Sequence, residues 1–227
     1  MKNFFLSIII SLFSITCAFS HGEHYKNISK LEYELFRNGK LIGFHNYTFK
    51  KDQNKLVVNS IVKFKIKKLG IDLYNYEATS EEIYENDQLI NFKSNTNQNK
   101  KIKYVNINYD TDKEVLVIDG SSNKSNSPKS FAVGTWWNHA IIEAKSQISA
   151  ISGRIIEQKV TFLGKEEIIL ENKRYNALHF NFASADETLP DSKKLNTDIW
   201  YDEKTKLWLK ASFDKTGFWE YRLKNFN

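Results

Sequence analysis

The sequence predicts a mainly β protein: a large antiparallel meander of about twelve strands, curled into a barrel or half-barrel, with one short helix near 136–145. Three observations predict it. Apolar and polar residues alternate with period two over long stretches. Short turn sequences such as Asn38-Gly39 and Asp119-Gly120 separate those stretches. Only one segment carries helical spacing.

The elements follow in chain order. Leu31, Tyr33 and Leu35 alternate with Glu32 and Glu34, and Asn38-Gly39 then suits a type I′ hairpin turn, because both positions tolerate positive φ. A second strand runs to Phe49. After Asp52-Gln53-Asn54, one face carries Leu56, Val58, Ser60, Val62, Phe64 and Ile66, the other Asn59, Lys63, Lys65 and Lys67. Gly70 breaks this run. Residues 71–84 form the next strand, with Tyr74, Tyr76 and Ala78 on one face. Strands at 89–95, 101–109 and 115–118 follow, and 120–130 is a polar loop rich in Ser, Asn and Lys. Trp137, Ala140, Ile141 and Ala144 then fall at helical spacing, with Thr135 as N-cap. Strands return at 154–163, 166–170, 175–182, 198–202, 207–213 and 218–223, with a polar loop at 186–196. Consecutive strands on short turns make a meander, and a sheet this long must curl to bury one face. The helix is expected to cover one opening of an apolar interior.

Composition bounds the class. The 227 residues are 41% hydrophobic and 26% charged, which fits one globular domain. The single Cys excludes an intrachain disulfide and a Cys-based zinc site. Lys2 precedes an uncharged run at 4–19, and Ala18-Phe19-Ser20 places small residues where a signal peptidase reads. This predicts a signal peptide at 1–20, a single β-rich domain at 21–227, and a periplasmic or secreted location after cleavage near Ser20. The run falls short of the roughly 20 residues that span a bilayer, so no transmembrane segment is expected in the mature chain. A permanent anchor and a lipoprotein lipidated at Cys17 are the weaker readings. The residues Ser14-Ile15-Thr16 fit the lipoprotein pattern poorly.

The formal net charge is +6, yet only four of the 33 basic residues are Arg. Arg is the favoured residue for bidentate phosphate and base contacts, so no nucleic-acid partner is expected. Lysines cluster at Lys63, Lys65, Lys67 and Lys68 and again at Lys100, Lys101 and Lys103. They read first as solvated strand faces that guard against edge pairing. Attraction to an anionic membrane or acidic ligand is the alternative.

No dinucleotide fingerprint, P-loop, nucleophile elbow or HExxH motif occurs. No catalytic residue and no cofactor is predicted. Glu81-Glu82, Glu166-Glu167 and Asp202-Glu203 read as solvent-facing charges near turns, because neighbours on a strand point to opposite faces. The candidate ligand-binding residues are aromatic. Trp136, Trp137, Asn138 and His139 set polar groups beside two large rings, and Trp200 and Trp219 supply aromatic faces from the last strands. Cleavage after Ser20 would expose His21 near His24, a weak candidate metal site.

Lys68-Leu69-Gly70-Ile71, Tyr76, Glu82-Ile83-Tyr84, Trp137-Asn138, Phe162-Leu163-Gly164 and Asp198-Ile199-Trp200-Tyr201-Asp202, with Leu207 and Phe213, occur in an order that resembles the DUF6134 family of exported bacterial proteins. The resemblance covers about residues 30–224. Tyr84, Asn86-Asp87 and His139 depart from its pattern, where Trp, a Gly-containing turn and Pro are usual. DUF6134 is similar to DUF3108. Both imply a shape like the lipoprotein carriers, a curled sheet with an apolar cavity, and neither implies an activity. The reading that follows is a non-enzymatic periplasmic binder of a lipid or other apolar molecule. An envelope scaffold acting on a protein partner, and a metal-dependent enzyme using the mature N-terminal His, are the alternatives.

Overall fold

The computed structural model describes Tyr25 and residues 27–227. The signal-peptide segment, His21 and His24 lie outside the described residues. Among the described residues, fifteen strands form one sheet. The first half contains β1 (Lys30–Arg37), β2 (Lys40–Asp52), β3 (Lys55–Lys68), β4 (Ile71–Glu85), β5 (Gln88–Gln98), β6 (Lys101–Asp110), β7 (Val115–Gly120) and β8 (Asn123–Pro128). The second contains β9 (Ala132–Val133), β10 (Ser146–Ile148), β11 (Ile155–Leu170), β12 (Lys173–Ser184), β13 (Asn196–Asp202), β14 (Trp208–Asp214) and β15 (Phe218–Phe226). Each half is a meander. The halves join where β1 pairs antiparallel with β15, with Tyr33 opposite Leu223 and Arg37 opposite Trp219. The sheet order therefore runs β8 to β1, then β15 to β9. Among the described strands, only β9 and β10 pair in parallel.

The two ends of the sheet meet without a strand ladder. The loop after β10 bridges them: the Ser122 N–H donates to the Ser152 carbonyl at 2.9 Å, and Asn123 Nδ2 to the Gly153 carbonyl at 3.2 Å. Gly120 is needed at this seam, because a Cβ there would stand 2.6 Å from the Ser152 carbonyl oxygen. The result is a barrel-like curled sheet. Among the described residues no helix is long and apolar enough to cross a membrane.

The period-two faces appear as expected. In β3, Leu56, Val58, Val62 and Phe64 are buried while Lys63, Lys65 and Lys67 are exposed. Three expectations are corrected. The polar loop at 120–130 contains β8, an edge strand without an apolar face that pairs with β7 from Gly120↔Asn123 to Val115↔Pro128. An edge strand needs only backbone bonds to its one neighbour, and its terminal Pro128 suits that place. The strands at 154–163 and 166–170 are one strand, β11, with a bulge at Gly164, whose φ is +134°.

The helix at 136–145 is a single 3-10 turn, His139–Ile142, capped by Asn138 rather than Thr135. Trp136 sits in left-handed backbone at φ 58. That backbone sends the two indoles apart. Trp136 packs on Trp208 and Tyr221, and Trp137 on Tyr25, Phe49 and Tyr84. Consecutive residues of a helix could not reach both sides of the interior.

Candidate functional site

The segment 133–144 plugs the curled sheet. Its irregular backbone is buried, so its carbonyls need partners. Three tyrosines supply them. Tyr47 Oη donates to the Thr135 carbonyl at 2.7 Å, Tyr201 Oη to Trp136 at 2.8 Å, and Tyr25 Oη to Trp137 at 2.5 Å. Burial raises the Tyr47 and Tyr201 phenols well above their ordinary pKa, so they remain donors. Trp137 Nε1 in turn donates to Glu82 Oε1 at 2.9 Å, and Tyr84 Oη donates to Glu82 Oε2 at 2.7 Å. Glu82 is fully buried, and burial pushes its pKa up to about 7 against these hydrogen bonds. This corrects the expectation of a solvent-facing Glu82. Its parity on β4 with Tyr74, Tyr76 and Ala78 is the signal that finds it.

On the other side of the plug, a chamber of about 170 Å³ is lined by His45, Ser60, Ser80, Ser94, Thr96 and Trp136, among others. His45 is shielded by Tyr33, Tyr47, Trp208 and Tyr221, and burial lowers its pKa to about 3. The ring is therefore neutral, with one donor and one acceptor nitrogen. Among the described residues, neither nitrogen, nor Trp136 Nε1, has a hydrogen-bond partner. Buried polar groups are rarely left so. The chamber thus offers hydrogen bonds to a small uncharged polar group.

Beside the chamber lies a cleft of about 550 Å³, here called the mouth. Phe64, Ile66, Tyr74, Phe213 and Trp219 line it, and Arg37 and Lys215 edge it. Tyr76, Ile151 and Tyr221 line both spaces. Trp219 is fixed by its Nε1, which donates to the Lys215 carbonyl at 2.8 Å, and by Phe64 and Phe213 against its ring. The volume falls within the range of small-molecule sites.

Of the residues singled out in the sequence, Trp136 lines the chamber and Trp219 the mouth. Trp137, Asn138 and His139 belong to the plug, where Asn138 Oδ1 accepts from the Ala140 N–H at 3.0 Å. Trp200 stands apart from the mouth and the chamber. It alternates with the inward Ile199 and Tyr201, stacks on His179 at 4.1 Å, donates from Nε1 to Glu166, and lies under Lys210 Nζ at 4.6 Å. His45, Glu82 and the three tyrosines were missed. Alternation places such residues inside but does not say which of them meet. Among the described residues, no group of three or more His, Cys, Asp or Glu could hold a metal ion.

The family model described as "Domain of unknown function (DUF6134)" matches residues 33–224. The chain belongs to the DUF6134 family. The match runs from β1 into β15 and so spans the whole sheet. No curated protein matches the sequence. Among solved structures, the DUF6134 chain is similar to a β-barrel-like protein of DUF1849 from Brucella abortus, with TM-score 0.63 and 10% identity over 88% of this chain and 97% of that one. At that identity the likeness concerns the fold alone. A DUF1329 family protein from Desulfovibrio piger aligns over 88% of this chain and 84% of its own at 10% identity, with a TM-score of 0.20, too low to indicate a common fold.

Proposed function

We propose that this DUF6134 protein is an exported, non-enzymatic binder of an amphipathic apolar molecule, a lipid or a compound of similar character. The observation that carries the reading is the pairing of an apolar aromatic mouth with a chamber whose His45 ring and Trp136 Nε1 have no hydrogen-bond partner among the described residues. An apolar body would occupy the mouth, and a neutral polar group would reach the chamber. Burial in the mouth contributes roughly 25 cal/mol per Å² of apolar surface removed from water. The Arg37 and Lys215 edge would favour an anionic group at the entrance. Residues 1–20 support a periplasmic or secreted location, since they carry a signal-peptide pattern.

The test is native mass spectrometry of protein purified from the periplasm, after its N-terminus has been sequenced. The expected result is a start near His21 and a discrete added mass that organic solvent extracts. Repeated recovery of the bare mass, together with no change in intrinsic tryptophan fluorescence on titration with fatty acids or phospholipids, would sink the reading. The surface-acting scaffold would then be favoured.

A further inference from the structure

Several hairpin tips in this protein share a habit from which the β3–β4 tip departs. The tips at Asn38-Gly39, Asn86-Asp87, Asn99-Lys100 and Glu171-Asn172 put polar residues or glycine in left-handed backbone. The β3–β4 tip puts Leu69 there, at φ 51, ahead of Gly70. A bulky side chain is sterically disfavoured in that region, and Asn would fit the same turn with less strain. Leu69 is moreover 93% exposed, Ile71 66% and Leu73 53%. Ile102, on the adjacent hairpin, is 65% exposed.

This hairpin projects beyond its neighbours. β2 leaves β3 at the Gly43↔Phe64 pair, and β5 joins β4 only at Tyr76↔Gln98. From Lys65 to Asn75 the two strands pair only with each other. A lone two-stranded ribbon is marginal in water. The β5–β6 turn braces it, where the Asn99 N–H donates to the Asn75 carbonyl at 2.9 Å and Asn99 Nδ2 to the Leu73 carbonyl at 3.2 Å, and at its base Ile66 and Tyr74 pack against the cluster of Leu35, Val62, Phe64 and Trp219. The same turn brings more lysines. Residues 63–73 and 98–103 together hold seven lysines against one acidic residue, Asp72. Asp72 lies 3.5 Å from both Lys65 and Lys67.

We infer that the β3–β4 tip is a membrane-docking element, which places Leu69 and Ile71 among the headgroups of an anionic bilayer while the lysine collar meets the phosphates. An apolar tip within a basic collar is complementary to an anionic lipid surface, where burial and electrostatic attraction add. A second copy of the chain is a poor occupant, because two such collars repel. Ile66, Leu73 and Tyr74 at the base of the hairpin also line the mouth. Docking therefore brings the mouth to the membrane surface. The passage of ligand between bilayer and mouth rests on the binding function proposed above. The docking itself does not.

Vesicle flotation of the purified, processed protein tests the docking. Vesicles of neutral phosphatidylcholine are compared with vesicles that also contain phosphatidylglycerol. The wild type is expected to float with the anionic vesicles and to be released by salt. Leu69→Asn suits the turn, so it should stay folded and bind at least about tenfold more weakly. Lys68→Gln and Lys101→Gln should each weaken binding about fivefold. Equal flotation of wild type and Leu69→Asn, or no flotation of the wild type, would overturn the proposal. A Leu69→Asn effect on self-association alone would overturn it as well. Titration with a fluorophore-tagged fatty acid in vesicle-free solution reads the mouth separately. Unchanged probe binding by Leu69→Asn, with flotation lost, supports docking. Flotation without any probe binding also supports docking, and removes only the ligand.

Discussion

Glu82 accepts two hydrogen bonds inside the barrel, one of them from the indole that plugs it. Burial raises its pKa from 4.5 to about 7, so the folded protein holds a proton that the unfolded chain has lost at intermediate pH. The contribution to stability is full below about pH 4.5, where both states are protonated, and it is lost as pH rises to about 7. Unfolding free energy should fall over that window by up to about 3 kcal/mol on this account alone. Glu82→Gln keeps an acceptor for Trp137 without the titration. Urea unfolding across the window should show a flatter profile for the variant, and parallel profiles would refute this role. His45 makes a complementary case. Its neutral ring is shielded by four aromatic side chains and has no hydrogen bond among the described residues. His45→Phe removes the unpartnered nitrogens, so stability should stay level or rise by about 1 kcal/mol. Affinity for a probe with a polar head should fall. A stabilised variant with unaltered affinity would exclude the chamber from the binding site.

The plug is the element that couples these residues. Its 3-10 turn is too short to sustain itself: Gln158 Nε2 donates to the Ile141 and Ala144 carbonyls at 2.8 Å, and Tyr25, Tyr47 and Tyr201 hold the backbone that leads into it. Removing the Tyr201 hydroxyl takes the side-chain donor from the Trp136 carbonyl, which costs about 1–3 kcal/mol, whereas Tyr47→Phe costs less because the Thr135 carbonyl still accepts from the Trp137 N–H at 2.7 Å. Tyr47→Phe and Tyr201→Phe act on adjacent carbonyls of one segment. The double variant should therefore differ from the sum of the single ones in chemical denaturation. Simple additivity would mean that the plug does not act as a unit. Periodicity finds the strands around it well, because one face of each strand must be dry. It misreads the plug, since Trp137, Ala140, Ile141 and Ala144 do fall at helical spacing, while Trp136 turns left-handed to reach Trp208 and Tyr221. It passes over β8 for the opposite reason. That strand has no apolar face and exists through its ladder to β7.

At the scale of the whole molecule, the long-range β1–β15 ladder joins the two meanders, and a loop seam brings the far edges together. The seam tolerates no side chain at Gly120, where a Cβ would press on the Ser152 carbonyl. Gly120→Ala should destabilise the protein by about 1–3 kcal/mol in urea unfolding. It should also speed proteolysis near Gly153, whereas an unperturbed variant would mean that the seam is slack.

Local pattern alone was enough for a mainly β, antiparallel fold, the inner and outer faces of its long strands, the hairpin at Asn38-Gly39, and the aromatic and basic segments where the candidate chemistry lies. These follow from local rules, because a strand's side chains alternate whatever it pairs with and a turn needs particular residues wherever it sits. Tertiary structure alone decided that β1 pairs with β15, that Trp136 and Trp219 share one region while Trp200 does not, and that Glu82 and His45 are enclosed. It also decided that the β3–β4 tip stands clear of its neighbours beside the mouth. Each of these depends on which distant strands become adjacent when the sheet curls, and period-two alternation carries no information about that.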